Sequence, residues 1–287
     1  LPGLFEHSGI STKVMDNGSW IPLTHWIPFL GYQTNRELNQ EKARQMKGLP
    51  EKKAGNHFNG TFRVRLDMVI GTSYDQIAVT SGALTGSWKE KDRNYYRYQS
   101  DELNLELVDL YSADYAVRKD RWNDISISIF HHPKHLLNVS NFMEAAKASL
   151  ANYSSNFGDY KGKDLKLVEY AKHGTGGISL AGCIGYTSKL ALLLPKSPKV
   201  QMNLPFAVIA HEIAHQWWGH QVIPANIPGG VFLTESFAWY SALDVVEQAL
   251  GKSELEGLLT GMRKSFLQPR SKANEPLLEA NDYFLAY

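Results

Sequence analysis

Residues 211 to 215 read His-Glu-Ile-Ala-His. On a helix each residue turns the chain by ~100°, so residues four apart lie ~40° apart on one face, one turn above the other. Two imidazoles at that spacing can meet one ion. Phe206, Ile209, Ala210, Ile213 and Trp217 form the neighbouring stripe, which would bury the helix and hold both rings on a rigid support. Glu212 adjoins the first histidine on the cleft side, where a carboxylate reaches an activated water rather than the metal itself. A catalytic zinc takes three protein ligands and keeps one position open. Glu235 supplies the third from a following helix, after Pro224, Pro228, Gly229 and Gly230 break the chain and let it turn back. His211, His215 and Glu235 are thus the candidate Zn2+ ligands, with Glu212 as general base. A structural zinc would need a fourth protein ligand, and the sequence offers none.

The elements that must hold these residues change character along the chain. Phe62, Val64, Leu66, Met68 and Ile70 alternate with Arg63, Arg65 and Asp67, the period of a strand with one face buried. Ile125, Ile127 and Ile129 repeat the pattern, and Ile77 to Val79 and Leu103 to Val108 also read as extended. Residues 39 to 60 keep no period and are expected to form a long surface loop. After Pro133, apolar residues at Phe142, Ala146, Leu150, Tyr153 and Phe157 follow a helical step, with Gly158 as the stop. Leu165 to Tyr170 and Lys189 to Leu194 read as strands around a glycine-rich segment. Asn203, Leu204 and Pro205 then give the cap and first turn of the helix that carries the chemistry. A further helix is expected from about Val231 to Leu250, stopping at Gly251, with Ser253 opening another. The fold class is α+β, with a β-rich part at 1–136 and a mainly helical part at 137–287.

Composition narrows the function. With 287 residues, 43% hydrophobic and 21% charged, the chain can bury a sizeable core. A formal net charge of +1 with scattered lysines and arginines gives no surface suited to nucleic acid. Cys183 is the single cysteine, which excludes an intrachain disulfide or a cysteine-based zinc cluster. The longest apolar run, Leu190 to Leu194, is far short of a membrane span, and no signal peptide is legible at the Leu-Pro-Gly start.

HEIAHQWWGHQV followed by LTESFAWYSAL resembles the M1 family of zinc aminopeptidases, the gluzincins, most closely over about 205 to 245. The nineteen residues between His215 and Glu235 exceed the family's usual spacing by one. That spacing, together with GYQTNREL at 31 to 38, HQWWGHQV and IPANIPGG, resembles the M1-type domains of bacterial ABC-type transporter permease proteins. The resemblance implies that residues 1–136 end the family's N-terminal β domain and that 137–287 form a thermolysin-like zinc peptidase domain, cut at both ends. It implies a peptide substrate, attachment to transmembrane segments in a longer protein, and an extracytoplasmic place at a bacterial inner membrane. It also implies that Tyr287 matches the tyrosine with which the family stabilises the oxyanion. The family's Gly-x-Met-Glu-Asn segment, whose glutamate binds the substrate's free amine, is matched here to Gly182, Cys183, Ile184 and Gly185, followed by Tyr186. Gly185 then stands where the carboxylate should be, while the strand's backbone remains a candidate peptide-binding edge.

The expected reaction is hydrolysis of peptide bonds by a metal-activated water. An alternative is a zinc-retaining, non-catalytic domain that binds a peptide or a transporter partner; the missing amine-binding glutamate favours it, while Glu212 favours the enzyme. His131, His132, His135 and His173 read as surface or strand-end residues, and His220 and Asn226 as possible cleft residues. Trp217, Trp218 and Trp239 read as core, and Cys183 as a small buried thiol.

Overall fold

Apolar side chains at every second position share one face only in extended backbone, and most of the described residues up to 131 lie in strands. The structure is a computed structural model that describes residues 14–15, 18–22, 38, 40–50, 63–104, 108–170, 176–194, 202–224, 230 and 232–267. Strands β1 (Val14–Met15) and β2 (Gly18–Pro22) precede helix α1 (Glu41–Met46). Then come β3 (Arg63–Ser73), β4 (Ile77–Val79), β5 (Ala83–Glu90), β6 (Arg93–Asn104), β7 (Asp109–Ala113), β8 (Ala116–Trp122) and β9 (Ile125–His131). In β3 the half-buried face carries Val64, Leu66, Met68 and Ile70, while Arg63, Arg65 and Asp67 are exposed, as the alternation requires.

Helix α1 corrects the expectation of an unbroken loop over 39 to 60; residues 51–60 lie outside the described part. The helix had no apolar period to reveal it because its buried residue is Arg44. That guanidinium donates to the carbonyls of Leu38 (3.2 Å) and Pro50 (3.1 Å), so a charged side chain ties the helix down.

The second half continues with α2 (Val139–Phe157), β10 (Asp164–Tyr170), β11 (Gly177–Leu180), β12 (Cys183–Thr187), α3 (Ser188–Ala191) and α4 (Leu204–Ala214). A π-helical turn, Phe232–Ser236, leads into α5 (Phe237–Leu250), and α6 (Lys252–Leu267) follows. Gly158 and Gly251 close α2 and α5 with φ of +95° and +91°, where a side chain would be strained. Helix α3 replaces the strand expected over Lys189 to Leu194. A continuous apolar run has no period of its own; Thr187 tips it towards helix by accepting the Leu190 N–H through its hydroxyl (3.3 Å).

The described strands form three sheets: β1-β2-β7-β4, β3-β6-β5 and the five-stranded β11-β12-β10-β9-β8. In the last, β9, β10 and β12 run parallel, and β8 and β11 flank them antiparallel. It draws strands from both sides of residue 136. One face, with Ile127, Ile129, Leu165, Leu167 and Ile184, packs against α2 and α4, and α5 packs on those helices in turn. The other, with Val168, Tyr170 and Cys183, packs against Val79, Tyr111 and Ala113 of the four-stranded sheet. Helix α4 is buried along its whole length, and each buried Phe206, Ile209 or Ile213 contributes about 1.5–3 kcal/mol. Its ends are therefore fixed, and so are the histidines at its C-terminal turn.

Candidate metal centre

Asn203 caps α4 by accepting the Phe206 N–H at 3.1 Å, and the helix runs from there to His211 and His215. The two imidazoles stand nearly perpendicular, centroids 4.6 Å apart, and their Nε2 atoms are 3.1 Å from each other. His215 Nδ1 lies 3.0 Å from the Trp218 carbonyl. A carbonyl can only accept, so Nδ1 carries a proton, and Nε2, facing His211, is the nitrogen that can bind a metal once its own proton has left. The π-helical turn swings Glu235 to the same point, with Oε2 3.2 Å from His211 Nε2 and Oε1 3.5 Å from His215 Nε2. One ligand atom from each of His211, His215 and Glu235 lies within 4.8 Å of the other two.

The electrostatics suit that cluster. Burial alone would raise the Glu235 carboxyl, yet its hydrogen bonds from His211 and His215 hold it well below the usual range. Burial pushes His211 down to about 4. His215 is opposed by burial but lifted to about 9 by Glu235 first and Glu212 next. Two imidazole nitrogens and a carboxylate oxygen converging on one point form a donor set that fits zinc.

Glu212 is 7% exposed and burial raises its carboxyl to about 7. It lines a cavity of about 580 Å³ together with His211, His215, Glu235, Ile178 and Ser179. Strand β11 passes directly against it: a Cβ on Gly177 would sit 2.5 Å from Glu212 Cγ, so only glycine permits the approach. Gln216 fastens this strand to α4, donating to Ser179 Oγ (2.8 Å) and the Leu180 carbonyl (3.0 Å) and accepting the Gly182 N–H (2.9 Å).

Gly182, Cys183, Ile184 and Gly185 are placed differently from the peptide-binding edge expected of them. Cys183 to Gly185 lie in β12, which is paired with β10 on one side and β11 on the other, so their ladder groups are already taken. A Cβ on Gly185 would meet Tyr111 Oη at 2.6 Å, so its glycine serves packing against the four-stranded sheet. The strand at the cavity is β11, at the edge of the sheet. The Gly176-Gly177 pair was the signal for it.

His220 lines the cavity, with Nε2 3.5 Å from Ser179 Oγ, and burial lowers its imidazole to about 3. Trp217 is core, donating to the Gly158 carbonyl at 2.8 Å, and partly buried Trp218 donates to Ser241 Oγ at 3.0 Å. Trp239 is partly buried and packs against the core, and it also forms part of the cavity wall. His131 and His135 are buried away from the centre, His135 Nδ1 lying 2.6 Å from the buried Glu169. His173, Asn226 and Tyr287 lie outside the described residues.

Comparison with known proteins agrees with this geometry. Residues 142–279 match the model of the peptidase family M1 domain. The chain is 24% identical over 182 residues to probable aminopeptidase 2 of Sulfurisphaera tokodaii, covering 62% of this chain and 23% of that protein. Probable aminopeptidase 1 of the same organism is 32% identical over 117 residues, covering 40% and 15%. Tricorn protease-interacting factor F2 of Thermoplasma acidophilum is 28% identical over 106 residues, covering 37% and 13%. The chain thus spans less than a quarter of the length of these curated relatives. The stretch from 142 to 279, which carries the convergent histidines and glutamate, is the part of the chain that is similar to the peptidase family M1 domain.

Proposed function

We propose that this chain is the catalytic portion of a zinc metallopeptidase that hydrolyses peptide bonds. The observation that carries it is the convergence of His211, His215 and Glu235 at one point of a cavity that Glu212 also lines. Bound there, zinc would act as a Lewis acid, polarising the scissile carbonyl and making water a stronger acid. Glu212, with a carboxyl near 7, is suited to take the proton from the attacking water and hand it to the leaving amine. The edge of β11, which no described strand covers, can pair with an extended peptide, and Gly177 lets that peptide's support run close to Glu212. Tyr287 completes the proposal as the hydrogen-bond donor to the oxyanion, on the family likeness alone.

The five-stranded sheet draws strands from both sides of residue 136, so no domain boundary is placed there, and the thermolysin-like character of the second part belongs to the same proposal. So do attachment to transmembrane segments and an extracytoplasmic location, which rest on the likeness of GYQTNREL, HQWWGHQV and IPANIPGG to transporter-associated domains. The relatives named above do not add to that likeness, and among the described residues no helix is long and apolar enough to cross a membrane.

The test joins metal analysis to turnover. Protein purified without added metal is expected to hold about one zinc per chain, most of it lost in His211→Ala and Glu235→Ala. Digestion of a random peptide library, with the products sequenced, should show zinc-dependent cleavage. Full zinc in both variants would remove the site, and zinc without cleavage would leave a peptide-binding domain.

A further inference from the structure

His211 and His215 are held by different means. His215 Nδ1 is fastened to the Trp218 carbonyl, whereas His211 Nδ1 is buried without a hydrogen-bond partner among the described residues. A histidine that binds metal through Nε2 must be kept from turning about its ring bond, and the usual holder is a carbonyl or carboxylate at Nδ1. At His211 the indole of Trp239 lies against the imidazole face instead, centroids 4.3 Å apart and planes 27° from parallel. Trp239 follows Glu235 by four residues, with the α5 helix beginning between them, so one continuous helical segment presents both the third ligand and the ring against the first.

We propose that Trp239 is a positioning residue of the metal centre, which sets the ring plane of His211 by stacking where a hydrogen bond is lacking. The inference rests on the zinc site proposed above. It has two consequences. The ligand plane depends on an aromatic face rather than on an indole N–H, so another aromatic ring at 239 should serve. Since Glu235 and Trp239 share a segment, a shift of that segment moves a ligand and the support of another together.

The experiment measures zinc affinity of the metal-free protein by competition with a chromophoric chelator, for wild type, Trp239→Leu and Trp239→Phe. Trp239→Leu should bind zinc about tenfold more weakly and Trp239→Phe within about threefold of wild type, with unfolding of the metal-free forms little changed. Wild-type affinity in Trp239→Leu would overturn the role of Trp239 while leaving the zinc site intact. A wild type that takes up no zinc would remove both. Should Trp239→Leu fail to fold, indole fluorescence during zinc titration provides the second readout. A saturable change at about one equivalent, absent from Trp239→Phe, is expected, and equal changes in the two proteins would overturn the proposal.

Discussion

Glu212 is asked to be buried and to remain available as a base. Its neighbours along α4 are the two histidines and the apolar Val208, Ile209 and Ile213, burial raises its carboxyl to about 7, and the Gly177 backbone closes over it. Glu212→Gln keeps the shape and leaves the three ligands untouched. It should therefore retain zinc while lowering turnover by roughly 10²-fold or more, measured on any peptide the wild type cuts. Equal turnover would take Glu212 out of the mechanism. Cys183 is the opposite case, a group with chemistry in principle and none in place. It is fully buried, and burial pushes its thiol up to about 12. At pH 8 the native thiolate fraction is on the order of 10⁻⁴, so an alkylating reagent should label it only after denaturation. Fast labelling of native protein would show that β12 opens to solvent.

At the scale of elements, α4 sets the site through its two ends. Asn203 accepts the Phe206 N–H, exchanges amide hydrogen bonds with Asn141, and donates its own backbone N–H to Glu254 of α6 at 2.9 Å. Asn203→Ala removes the cap and leaves Asn141 without those partners. A loss of about 1–2 kcal/mol is expected in denaturant unfolding, with zinc stoichiometry preserved because His211 lies two turns away. Strand β11 depends on the opposite property, the lack of a side chain. Gly177→Ala places a methyl group on the Glu212 carboxyl, so turnover should fall by at least tenfold while bound zinc stays at wild-type level. Unchanged turnover would mean that β11 can move away from α4.

For the whole molecule, the cavity between the five-stranded sheet and the helices decides what can bind. Among its described lining residues the only carboxylates are Glu212 and Glu235. In the proposed mechanism one serves as base and the other as ligand, which leaves no described anion for a substrate's ammonium. An N-acetylated peptide and its free-amine twin should then differ in kcat/KM by less than about tenfold, or ~1.4 kcal/mol. A thousandfold preference for the free amine would require a carboxylate outside the described lining. The wall beyond the metal cluster is built from Met202, Leu204, Val208, Leu258 and Met262, so peptides with large apolar residues beside the scissile bond should be cut faster than alanine counterparts.

His211, Glu212 and His215 were legible because helical geometry is local: a four-residue spacing fixes a shared face whatever the helix packs against. The same holds for α2, with its apolar step ending at Gly158, and for β3 and β9, whose alternation names the buried face. Neighbours along the sheet are another matter. That β12 is interior and β11 the edge is decided by β10, which inserts its hydrogen-bonding ladder beside β12 from an earlier part of the chain. Gly185 is a glycine because Tyr111 approaches it from another sheet. Trp239 packs against the core and also lies over the His211 ring because α5 packs on α4. Periodicity in a sequence states which side of an element avoids water, whereas the identity of what covers that side is set by contacts between distant residues, and these arise only when the chain has folded.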